Sequence, residues 1–221
     1  MNSRMQLFLD LDNTLIHAIE PNQISNLPQS FQKQFRTVDM KPYYRVFERP
    51  YLQLFLDFAF ANFDVSVWTA AESDYAMFII KNFICIKPER KLKYIFYHYH
   101  VSLGRQQYGE DKVKDLRLLW EIFRLPGVYP CNTWIVDDLE DVNETNVENC
   151  IAIPAFHVVS GKTQNNDAIF DDGLLQVKLK LENLLHDYNT YLKPGIVENL
   201  VSKFSQPMIL PPVPVAIEEV A

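Results

Sequence analysis

The amino-acid sequence predicts an α/β domain built on a parallel, doubly wound sheet flanked by helices. Three observations carry that expectation. Short apolar runs alternate with longer helix-period segments along most of the chain, the order of successive βαβ units. Two of the short runs end in carboxylates, DLD at 10–12 and VDD at 136–138, and open α/β sheets gather ligand-binding groups at their strands' carboxyl ends. The chain has 221 residues, enough for one domain with a sizeable core and too few for two comfortable ones.

Taken in order, MQLFLDLD (5–12) is an apolar run closing on carboxylates, the pattern of a strand buried on both faces. Residues 18–48 are mixed: IEPNQISNLPQS reads as loop and PYYRVF (42–47) as a strand. Pro50 opens YLQLFLDFAFANF, a helix with proline in its first turn. DVSVWTA (64–70) is a second parallel strand and ESDYAMFIIKNF (72–83) a second long helix. KYIFYHYHV (93–101), rich in aromatics, reads as a strand, and VKDLRLLWEIFRL (113–125) as a helix. CNTWIVDDLED (131–141) and CIAIPAF (150–156) supply further strands, and LLQVKLKLENLLHDY (174–188) is an amphipathic helix. The domain is expected over residues 1–190, followed by a proline-rich tail at 191–221 that ends SQPMILPPVPVAIEEVA.

Composition narrows the function. Hydrophobic residues at 48% and charged residues at 22% match a globular protein. A net charge of −7 argues against direct nucleic-acid binding, which needs a basic face. Three cysteines without a CxxC pair argue against a disulfide framework and for a reducing compartment. With no signal-peptide pattern and no apolar run near the ~18–20 residues of a membrane span, the expected location is cytoplasmic or nuclear.

Asp10 and Asp12 stand two apart, so on a strand both side chains point to one side. Alone, D-L-D reads best as a pair of turn or helix-capping aspartates. Thr14, Thr69, Lys114 and the pair Asp137–Asp138 change that, because sheet order could bring all their loops to one edge. Each residue type has a task in phosphoryl transfer. One carboxylate attacks phosphorus, and a second moves the proton of the leaving oxygen and then of water. Carboxylates hold Mg²⁺, and a hydroxyl and a lysine stabilise the equatorial oxygens.

DLDNTLIH resembles the DxDx(T/V) motif of the haloacid-dehalogenase phosphatases and, within them, the FCP/SCP phosphatases of the RNA polymerase II C-terminal domain. ERPYLQLFL, VWTAAESDYA, VKDLRLL and IVDDLEDV resemble that family's later segments, in the same order, over about residues 5–187. The resemblance implies a Rossmann-like haloacid-dehalogenase fold without a large cap and with a small insertion after the first strand. It implies Asp10 as nucleophile and Asp12 as general acid/base, with Thr69 and Lys114 binding the phosphoryl group. It implies Mg²⁺ on Asp10, the backbone carbonyl of Asp12, and Asp138, while Asp137 orients Lys114 and Thr14 supports the turn. The expected partner is a phosphorylated Ser/Thr protein or peptide, since an uncapped site suits a protein side chain.

The family's small members place an apolar side chain where this chain has Glu72, while Tyr75 keeps its place beside the expected substrate pocket. That difference puts polymerase-tail specificity in question. Alternatives are a small-molecule or nucleic-acid-end phosphatase on the same scaffold, or a non-enzymatic binding module. His98 and His100 would share one strand face, but without neighbouring ligands they read as packing rather than zinc. The run KPERKLK reads as a solvated basic face.

Overall fold

The first strand, β1 (Gln6–Leu9), is followed by a small antiparallel insertion. This insertion contains β2 (Ile16–Ile19), the one-turn helices α1 (Pro21–Ile24) and α2 (Gln29–Gln32), β3 (Thr37–Met40) and β4 (Tyr44–Glu48). The structure, a computed structural model, describes residues 4–192. The chain continues through α3 (Leu52–Asn62), β5 (Asp64–Trp68), α4 (Ser73–Ile79), β6 (Ile95–Phe96) and α5 (His98–Tyr108). It then forms β7 (Thr133–Asp137), α6 (Glu140–Thr145), β8 (Cys150–Ala152), the short hairpin β9 (Val159–Ser160) and β10 (Thr163–Gln164), and α7 (Gly173–Asp187).

The central sheet has the order β6-β5-β1-β7-β8, and every neighbouring pair is parallel. β1 sits in the middle, and its period-two alternation feeds two cores. Leu7 and Leu9 join Val65, Val67 and Val136 under α3, α4 and α7. Phe8 faces the other way and joins Trp68, Phe96 and Ile135 against α5 and the 113–119 segment. A side chain of this size contributes roughly 1.5–3 kcal/mol when fully buried, so covering both faces makes β1 the anchor of the domain. A third cluster, with Ile19, Phe31, Phe47 and Phe156, glues the insertion to the chain after β8. The insertion's own sheet has the order β2-β4-β3 and is antiparallel throughout.

Several sequence expectations are corrected. KYIFYHYHV is a strand only over Ile95–Phe96. From His98 the chain is helical, with His100, Val101 and Gly104 buried at helical spacing, and the Tyr97 amide donates to His100 Nδ1 at 3.2 Å to start it. Aromatic content pointed to a strand, but packing of this spacing against Phe96 and Leu118 decided for a helix. VKDLRLLWEIFRL is helical only near Leu118–Ile122, in a wide turn closed by the Phe123 amide on the Leu118 carbonyl. Lys114 at φ 50 and Arg124 at φ 49 are left-handed, which no continuous helix tolerates. ESDYAMFIIKNF likewise stops being α-helical after Ile79 and continues as a wide turn over Ile80–Ile84. Pro50 stands outside its helix, which begins after Tyr51, and the 20–32 stretch read as loop holds α1 and α2. The proline-rich tail lies outside the described residues.

Candidate active site

Parallel register assembles the site. Leu9 pairs with Val67 on one side and Val136 on the other, so the next residues out are Asp10, just past β1, and Asp137, the last residue of β7. Asp10 and Asp12 lie just past the end of β1 rather than within it. The chain reverses there: the Asn13 amide donates to the Ile16 carbonyl at 2.7 Å, and Asn13 takes φ 60. Asparagine tolerates this left-handed conformation better than most residues.

Lys114 reaches the same point from the 109–117 loop. Its ammonium donates to Asp10 Oδ1 at 2.5 Å and Asp137 Oδ2 at 2.6 Å, with all three side chains almost wholly buried. Asp137 uses its other oxygen to accept from the Leu139 amide at 3.0 Å. Asp138 Oδ1 accepts from the Thr14 hydroxyl at 2.8 Å, tying the β1 loop to the β7 loop. Asp12 Oδ1 accepts from the Tyr75 hydroxyl, and Tyr44 packs edge-on against that tyrosine. The two aspartates of DLD are thus held by different partners, Asp10 by a cation and Asp12 by a phenol.

Burial raises Asp12 to about 6, against the Tyr75 hydrogen bond, and the neighbouring charges of Asp10 and Asp138 add to the rise. Asp138 is also raised, by burial first, despite the Thr14 bond. Asp137 is pushed up by burial and by Asp10, because two carboxylates share one ammonium. Burial works against the charge on Lys114, but Asp10 and Asp137 outweigh it and keep the lysine protonated. The cluster therefore carries surplus negative charge that one lysine does not neutralise.

A divalent cation fits that surplus. Asp10, Asp137 and Asp138 offer oxygens within 4.8 Å of one another, with no thiolate or imidazole in the set. Hard oxygen donors of this kind suit Mg²⁺. Both Asp137 oxygens are already engaged, so Asp10 and Asp138 have the greater freedom to bind a metal.

Thr69 follows β5 at the same edge, buried, with its hydroxyl accepting from the Ala71 amide at 3.1 Å. Glu72 is exposed at the residue before α4, and its side chain does not cap the helix. His98 and His100 do not share a strand face. They lie in α5, where His100 stacks on Phe96 and His98 lies 3.4 Å from the Ser102 hydroxyl. The basic run is not a freely solvated face. Arg90 is buried on Gln53 and Asp57, Lys87 pairs with Asp57, and Lys93 pairs with Asp64 at the opposite end of the sheet.

Two supporting residues escaped sequence reasoning. Asn146 accepts from the Leu116 amide and donates to the Lys114 carbonyl, bracing the left-handed turn that aims the lysine. Arg49, fully buried, donates to the Thr14 carbonyl at 2.9 Å, the Pro154 carbonyl at 2.8 Å and both oxygens of Asp171. A Cβ at Gly173 would collide with this guanidinium, which explains the glycine there. An arginine inside ERP, before an apolar helix, was the available signal.

A parallel sheet whose carboxyl edge gathers four aspartates and a buried lysine, next to a small antiparallel insertion, is the haloacid-dehalogenase arrangement. The chain belongs to the NLI interacting factor-like phosphatase family, whose model matches residues 5–189. It is 40% identical over 176 residues to the CTD phosphatase-like protein 355R of Invertebrate iridescent virus 6, covering 78% of this chain and 94% of that protein. It is 41% identical over 192 residues to protein 355R of Invertebrate iridescent virus 3, covering 82% and 97%. Among solved structures it resembles a variant of the fission yeast RNA polymerase II CTD phosphatase Fcp1 bound to beryllium fluoride, with a TM-score of 0.53 and 19% identity. That match covers 91% of this chain but 56% of the Fcp1 chain, so the likeness speaks for the fold. No helix among the described residues is long and apolar enough to cross a membrane.

Proposed function

We propose that the chain is a Mg²⁺-dependent phosphoprotein phosphatase that works through an aspartyl phosphate on Asp10. The observation that carries this reading is the division of labour at the DLD loop, with Lys114 on Asp10 and Tyr75 on Asp12. Lys114 occupies one oxygen of Asp10 and leaves the other to attack phosphorus. The new bond joins that oxygen to phosphorus as the ester P–O bond breaks, and Asp12 gives its proton to the leaving oxygen. A carboxyl raised to about 6 suits that exchange, because its proton is neither too tightly nor too loosely held near neutral pH. Water then loses a proton to Asp12 and attacks phosphorus, releasing phosphate and restoring Asp10.

Lys114 and Thr69 are assigned to the phosphoryl oxygens, and Asp137 to holding Lys114 in place. Asp10, the Asp12 carbonyl oxygen and Asp138 are assigned to Mg²⁺, which when bound supplies charge neutralisation for the phosphoryl group. Thr14 fixes Asp138 through its hydroxyl.

The substrate class is phosphoserine or phosphothreonine in a protein. Among the described residues the segment after β1 is only a small three-stranded insertion rather than a large cap, and the viral relatives are CTD phosphatase-like proteins. Polymerase-tail-like phosphopeptides are therefore the first candidates. A panel comparing them with other phosphopeptides, sugar phosphates and nucleic-acid ends, at fixed Mg²⁺, tests the reading. The highest kcat/KM should fall on a phosphopeptide. Preference for a metabolite or a nucleic-acid end would overturn the substrate class while leaving the chemistry standing.

A further inference from the structure

His17 and His157 come from segments far apart in sequence, yet their Nδ1 atoms lie 3.3 Å apart. His17 belongs to β2, and His157 to the chain between β8 and β9. Neither position depends on the other imidazole. The Phe156 amide donates to the Asn13 carbonyl at 2.7 Å, and Asn165 Nδ2 donates to the His157 carbonyl at 2.8 Å, so the backbone itself brings the rings together. The ring planes are nearly perpendicular, at 89° with centroids 4.9 Å apart, so the pair is not a stack. The His17 Nδ1–H donates to Asn13 Oδ1 at 2.8 Å, so an ion bound at that nitrogen displaces this proton.

We propose that His17 and His157 form a second metal site, for a borderline transition-metal dication such as Zn²⁺, separate from the carboxylate cluster. Two imidazole nitrogens on one tetrahedral ion with Zn–N bonds of ~2.0–2.1 Å lie about 3.3 Å apart, and the observed separation already has that value. The donor chemistry differs from the carboxylate site, because imidazole favours zinc, cobalt, nickel and copper over magnesium. His157 is exposed, so water can complete the coordination.

The test uses the full chain, stripped with a chelator and held in saturating Mg²⁺, titrated with Co²⁺ and followed by its visible ligand-field bands. One equivalent should bind with a tetrahedral-type spectrum and without the near-ultraviolet thiolate band that cysteine coordination gives. Zn²⁺ should displace it. His157→Ala, an exposed change, should weaken binding at least tenfold while Mg²⁺-supported turnover of an aryl phosphate stays at the wild-type rate. Asp138→Asn should keep the cobalt spectrum. A spectrum that survives His157→Ala, that disappears in Asp138→Asn, or that never forms would overturn the site. The last outcome would leave only a hydrogen-bonded imidazole pair.

Discussion

The two ends of the central sheet carry nearly the same device in different surroundings. At the amino end Lys93 bridges Gln6 of β1 and Asp64 of β5, at 2.9 and 3.0 Å, with the charged pair about 30% exposed. At the carboxyl end Lys114 bridges Asp10 and Asp137, flanking the same β1 on its other side, with almost no exposure. Asp64 ends below the ordinary carboxylate range, because Lys93 and Gln6 outweigh its burial. Asp137 ends above it, because burial and a second carboxylate outweigh Lys114. A lysine between strands is thus a surface tie when water can screen it. When water is excluded and there is one carboxylate too many, it becomes the hub of a buried charge cluster with raised carboxylates.

Mutating the two lysines should separate these roles most strongly. Lys114→Met should lower turnover of an aryl phosphate by ~10²-fold or more, the scale of losing one preorganised stabiliser of the reacting group. It should also destabilise the fold by roughly 3–5 kcal/mol, since Asp10 and Asp137 would be left buried without a cation. Lys93→Met should leave turnover unchanged and cost no more than ~1 kcal/mol in denaturant unfolding. Equal loss of activity in both variants would erase the distinction.

Within the carboxyl end, Asp12→Asn should slow turnover by ~10²–10⁴-fold. A serine phosphate should suffer more than a nitrophenyl phosphate, whose leaving group departs without a proton. Equal loss for both would remove Asp12 from proton transfer.

Metal binding should follow the raised carboxylates. Asp138, assigned to the ion, titrates above its ordinary value, and protonation of the neighbouring Asp12 near 6 removes a further negative charge from the cluster, so on the acid side Mg²⁺ binds against protons. Apparent Mg²⁺ affinity should therefore rise between pH 5 and 7, ~10-fold or more if one proton is displaced per ion. Proton release, read by calorimetry in buffers of differing ionisation heat, should fade over the same span. An affinity flat across that range would contradict the metal assignment to this cluster.

The smallest effect is expected at Glu72, exposed beside α4 and outside the buried cluster. Glu72→Leu should reorder phosphopeptides, favouring an apolar or doubly phosphorylated neighbour, by a few-fold in kcat/KM. Turnover of an aryl phosphate should stay within twofold of the wild type (about 0.4 kcal/mol). A parallel fall in both would place the residue in the catalytic machinery.

Sequence reasoning reached the parts of this site that lie at strand ends. DLD, TA and VDD each close an apolar run, and strand register alone then carries Asp10 to Asp137. It failed where the chain leaves regular geometry. Lys114 sits in a left-handed turn braced by Asn146, not at a helix start, because hydrogen bonds to a residue 32 positions away outweigh local helix preference. The aromatic stretch around His98 misled for a related reason. Stacking on Phe96 rewards a helix there, and that partner is visible only once β6 is placed. Arg49 stands in ERP with no task legible from the sequence, since its carbonyl partners at Thr14 and Pro154 leave no trace in side-chain pattern.

The central claim is that Asp10, and not Asp12, takes the phosphoryl group. Beryllium fluoride, which mimics an aspartyl phosphate, should be added to the Mg²⁺-loaded protein and the adduct located in a crystal. The adduct should sit on the Asp10 oxygen not taken by Lys114, should be absent from Asp10→Asn, and should persist in Asp12→Asn. An adduct on Asp12 or on a histidine, or none in an active enzyme, would contradict the division of labour at the DLD loop.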